Sequence, residues 1–71
     1  MLNANPVGQI VNVYNNTLSG ERILEGKAVI RKVHQGDRGG VHADVEFLDD
    51  TGAPEGETFK RWVFASDQPE S

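Results

Sequence analysis

Val41-His42-Ala43-Asp44-Val45-Glu46-Phe47 alternates apolar and polar side chains without a break. Successive side chains of a strand point to opposite faces, so this period of two describes a strand with one buried and one wet face. Before it, residues 26–35 carry the β-branched Val29, Ile30 and Val33, a composition that favours a second strand. Between the two lies Gln35-Gly36-Asp37-Arg38-Gly39-Gly40, whose glycines and aspartate mark a hairpin loop. After Leu48, residues 49–56 form another turn-rich connection. It leads into Glu57-Thr58-Phe59-Lys60-Arg61-Trp62-Val63-Phe64, an aromatic-rich strand. Residues 7–14 read as a further strand, stopped by Asn15-Asn16. Gly20 opposes a helix in residues 17–24, which read as a loop or short strand carrying Leu18, Ile23 and Leu24 inward.

Two strands depart from clean alternation. Ala28 and Ile30 share a parity that Val29 and Val33 lack, which predicts either two covered faces or a bulge near Arg31-Lys32. In the last strand Phe59 and Val63 accompany Arg61, while Trp62 and Phe64 accompany Lys60. One face meets the core, and the other is left as an interface or binding surface.

Four to five short strands, glycine-rich turns and no good helix predict an all-β domain. Its expected form is a small antiparallel barrel or half-barrel, SH3-like in preference to OB-like. Residues 7–64 are expected to form this single domain, after a flexible N-terminus over 1–6 and before a disordered C-terminal tail over 65–71. With 71 residues the core is small, and with no cysteine neither a disulfide nor a thiolate zinc site can brace it. Self-association is then the most accessible further source of stability. No apolar run approaches the length of a membrane span, and no secretory leader is recognisable, so a cytoplasmic location is expected.

The formal net charge is −4, from 7 Lys and Arg against 11 Asp and Glu, which does not draw the chain to nucleic acid as a whole. The charges are nevertheless segregated. Arg22, Lys27, Arg31, Lys32 and Arg38 fall in residues 22–42, whereas Asp44, Glu46, Asp49, Asp50, Glu55 and Glu57 fall in residues 43–59 without a cation among them. Cross-strand pairing, Lys32 or Arg31 opposite Asp44 for instance, accounts for this most simply. The competing reading is a single-stranded nucleic-acid groove built from Lys27, Arg31, Lys32, Lys60 and Arg61, with Trp62 as its stacking platform.

The preferred reading is a non-catalytic binding module that recognises a protein partner or a second copy of itself. Arg61, Trp62 and Phe64 would anchor it, with Tyr14 at the edge, because Trp and Arg combine large contact area with a polar handle. An open strand edge offers a second route, by addition to a partner's sheet. His34 and His42 flank the hairpin loop, a spacing too sparse for a metal site, and no metal or other cofactor is expected.

Asp50-Thr51-Gly52-Ala53 resembles the signature tetrapeptide of retroviral-type aspartic proteases, whose paired aspartates activate water. The resemblance covers four residues, and Asp49 stands where that family has an apolar residue. The same residue types build ordinary turns, which is the reading preferred here. No nucleophile with a partnering base can be assigned, so catalysis would require a pocket shared between subunits.

Overall fold

The computed structural model describes residues 2–37 and 39–69. Four strands follow in chain order: β1 (Ile10–Asn16), β2 (Arg22–Asp37), β3 (Gly40–Leu48) and β4 (Pro54–Phe64). All neighbours are antiparallel and the spatial order is the chain order, a meander. A 3-10 turn over Ala65–Asp67 follows β4. The sheet is not closed, because no backbone ladder joins β1 to β4.

β3 keeps the apolar half of the alternation, while on its expected wet face Glu46 is buried at 9% exposure and His42 and Asp44 are half-buried. Ala43 and Val45 are fully buried, Val41 and Phe47 pack at the margins of the core, and His42 and Asp44 lie on the other face. Val11, Val13, Ala28, Ile30 and Val63 complete a core in which no buried side chain is larger than isoleucine. Fully burying a side chain of this kind contributes about 1.5–3 kcal/mol, so each one matters in so small a domain.

The irregular parity of β2 has its cause at Arg31, where the register shifts between Ile30 and Lys32. The extra residue lets Ile30 and Val33 both join the core although their spacing is odd. Val29 is buried as well, so both faces of this strand are covered locally.

Gly40 closes the β2–β3 hairpin opposite Asp37 and lies beneath the end of β4. A Cβ placed on it would stand 2.3 Å from the Val63 carbonyl oxygen, closer than any side chain can approach. Here glycine is demanded by packing.

One expectation requires correction. Leu18, Ile23 and Leu24 do not turn inward: Leu18 is wholly exposed, and the other two are about half exposed, at 51% and 49%. Thr17 and Gly20 form a tight turn, with the Gly20 amide donating to the Thr17 carbonyl at 3.0 Å, and β2 then starts two residues later. This turn and the first residues of β2 project beyond the core. In the segment after residue 64, Gln68 is buried at 8% exposure. Its polar composition supplies hydrogen-bonding groups that the edge of β1 needs. At the other end, Pro6 is buried and Leu2 packs on the core. The Gly8 amide donates to Ile30 at 2.7 Å, which holds the chain before β1 against β2. The remainder of both terminal regions lies outside the described residues.

Candidate binding face

On the face of β3 and β4 turned away from the core, three side chains meet in a row. His42 lies opposite Trp62 in the β3–β4 register, with ring centroids 5.2 Å apart. Trp62 in turn stacks on Phe64, two residues along the same side of β4, at 6.2 Å and an interplanar angle of 14°. Strand alternation makes both contacts, since i and i+2 share a face and cross-strand partners stand side by side. Trp62 and Phe64 remain 40% and 36% exposed. The indole is therefore surface and not core.

Tyr14 reaches this row through Arg22. The Arg22 guanidinium lies over the Tyr14 ring at 5.4 Å and over the Phe64 ring at 5.7 Å, so one cation links β1 to β4. Tyr14, Arg22, His42, Lys60, Trp62 and Phe64 line one open cleft of about 340 Å³, which Arg61 also borders. Lys60 enters no ion pair among the described residues.

Arg61 is committed elsewhere. It alternates with Trp62 and faces the core side, opposite the buried Ala43. Its guanidinium makes a two-pronged ion pair with Glu25, Nε to Oε1 and Nη2 to Oε2 both at 2.9 Å, and stacks on Phe59. The hydrogen bond from Arg61 holds the Glu25 carboxyl below its ordinary range, and the same bond raises Arg61. An arginine so engaged has few donors left for a ligand.

The other cations of the nucleic-acid reading are largely balanced by acids. Arg31 donates to Glu46 at 2.8 Å, and this bond, with that from the Gly56 amide, depresses the Glu46 pKa. Lys32 and Lys60 both lie opposite Asp44 in the ladders, as the segregated charges predicted for Lys32. Asp44 accepts a hydrogen bond from His34 Nε2 at 2.9 Å, and its pKa is lowered chiefly by that bond. Lys27 lies opposite Asn12 in the β1–β2 ladder and does not line the cleft.

His34 and His42 do approach, with centroids 6.0 Å apart, yet no group of three metal-ligating side chains is assembled among the described residues. The protease-like tetrapeptide is a turn organised by the residue before it. Asp49 Oδ1 accepts from the Thr51 amide at 2.9 Å, the Thr51 hydroxyl at 2.6 Å and the Ala53 amide at 3.0 Å. These bonds lower the Asp49 pKa, the hydroxyl bond most.

Strand edges are occupied by side chains. Gln68 accepts from the Asn12 amide at 2.7 Å and donates to the Asn12 carbonyl at 2.9 Å, as an added strand would. The Phe64 carbonyl also accepts from Gln68, and the Lys60 carbonyl accepts from Arg61. Addition of a partner's strand would have to displace them.

Sequence reasoning missed His42 as a stacking ring, placed Arg22 only in the basic stretch with no role of its own, and gave Gln68 none. The partners of Arg22 are dispersed over positions 14, 64 and 67, and no local pattern announces them.

No family model matches the chain, and neither the curated proteins nor the solved structures provide a match. No helix among the described residues is long and apolar enough to cross a membrane.

Proposed function

We propose that this protein is a non-catalytic binding module, SH3-like in its curled meander, that docks a cytoplasmic protein partner on the aromatic face of β4. The observation that carries the reading is the His42–Trp62–Phe64 row, exposed at Trp62 and Phe64, half-buried at His42, preorganised by ring contacts and outside the core cluster. Docking would bury aromatic surface, with Tyr14 and Arg22 forming the far wall of the cleft. Lys60 takes the polar role that sequence alone assigned to Arg61. A second copy of the chain is one protein that this face could accept.

Nucleic acid is the alternative occupant, with Trp62 for stacking and Lys32 and Lys60 for phosphate. The engagement of Arg31 and Arg61 by glutamates weighs against it.

The test is Trp62→Ala, read first by the amide NMR spectrum and then by binding to an array of immobilised peptides, with sedimentation over a concentration series for self-association. The variant is expected to keep dispersed amide signals while losing binding. Loss of dispersion would place Trp62 in the core and end the proposal. In the unmutated chain, a mixed single-stranded oligonucleotide that shifts the Trp62 indole at low salt but not at moderate salt would favour nucleic acid instead.

A further inference from the structure

The guanidinium of Arg22 has two apolar flanks and one polar edge. Its central carbon lies over the Tyr14 ring at 5.4 Å and over the Phe64 ring at 5.7 Å, two aromatic neighbours that restrict the group. That polar edge is taken by the Asp67 carboxylate from the 3-10 turn after β4. The Asp67 side chain is 12% exposed and that of Arg22 is 42% exposed, so the arginine borders solvent while the aspartate is tucked beneath it. The turn itself is held at Asn12, whose backbone amide donates to Gln68 Oε1 at 2.7 Å and whose side-chain amide donates to the Asp67 carbonyl at 3.4 Å.

The cleft beside this pair is lined by Lys60 and His42, and the carboxylate nearest them, Asp44, is bound to His34. A partner carrying an acidic group next to an aromatic or apolar one would match this lining: rings against rings, and the carboxylate towards Arg22 and Lys60. Arg22 is, however, already ion-paired from within the chain, through its Nη2 to Asp67.

We propose that the cleft receives an acidic side chain of a partner protein at Arg22, and that Asp67 is the built-in competitor holding that position until the partner displaces it. The inference rests on the docking face described above and adds both the class of partner and its regulation. Entry of the acidic group and seating of the C-terminal turn are then mutually exclusive at one guanidinium. A bound partner loosens the turn, and a loosened turn favours the partner.

The experiment uses the full chain, labelled for amide NMR and titrated with two probes, acetyl-Phe-Asp-amide and its neutral counterpart acetyl-Phe-Asn-amide. In the unmutated protein the acidic probe should bind the more tightly, and it alone should move the amide signals of Asp67 and Gln68. Asp67→Asn should tighten the acidic probe by about fivefold, the scale of an exposed ion pair, and leave the neutral probe unchanged. Arg22→Gln should erase the preference. If both probes bind equally to every variant, the aromatic face stands as a docking site and the competitor does not. Equal movement of the Asp67 and Gln68 signals by both probes would also overturn the proposal, without any mutant. If neither probe moves the Trp62 indole, both readings fall together.

Discussion

A primary amide carries one acceptor oxygen and one nitrogen with two protons, the equipment of a backbone residue on a shorter leash. Gln68 uses all of it: its oxygen takes the Asn12 amide, and its nitrogen serves the carbonyls of Asn12 and Phe64. Leaving buried backbone groups unpaired costs about 1–3 kcal/mol, which sets the expectation for Gln68→Ala. That variant should lose stability on this scale, and hydrogen exchange at the Asn12 amide should accelerate more than at Val45, which lies in the middle of the sheet. Unchanged exchange at Asn12 would mean that the contact carries no stability. At Arg22 the same economy appears with charge in place of amides, one side chain serving Tyr14, Phe64 and Asp67. None of these partnerships was legible beforehand, since sequence patterns report neighbours along a strand and these residues are brought together only by the curl of the sheet.

Among the elements, β3 is the one that sequence describes best. Its two ladder partners cover both edges, one face is core, and period two therefore survives into the structure. β2 needed a bulge to reconcile its pattern, and the bulge falls at Arg31, where the mixed parity pointed. The residues from Leu18 to Leu24 were misread because apolar character was equated with burial, whereas their turn extends past the end of the core. In β4, parity set Trp62 and Arg61 on opposite faces, yet the expected patch joined them, and the structure gives the arginine to Glu25 on the core side. The glycine at position 40 offers an element-level test. Gly40→Ala must push β4 away from the hairpin by displacing the Val63 carbonyl. Overpacking of this kind costs about 1–3 kcal/mol, and thermal unfolding of the variant against the unmutated chain measures it directly.

For the molecule as a whole, the acidic surplus is spread through a network in which carboxylates are held ionised. Glu25, Asp44, Glu46 and Asp49 all have lowered pKa values, the first three through hydrogen bonds from Arg61, His34 and Arg31, and Asp49 through its own turn. A carboxyl whose folded pKa lies below its unfolded one contributes stability that is complete above the unfolded value and lost as pH falls through the folded value. Stability should thus be steady above about pH 5 and decline progressively below about pH 4. Denaturant midpoints measured from pH 6 to pH 3 check this, and a midpoint that held level to pH 3 would contradict it. Segregated charge was visible in the sequence, and the ladders show its structural use, with basic β2 and the acids of β3 laid side by side.

Gln68 also imposes an order of events on a chain made from its N-terminus. Its contact with Asn12 spans 56 positions, and β2, β3 and β4 all lie between the two. During synthesis the first strand to emerge therefore keeps one side bare until the last strand and the turn after it have followed. Through that interval a newly made chain presents to its surroundings the strand edge that the finished protein conceals.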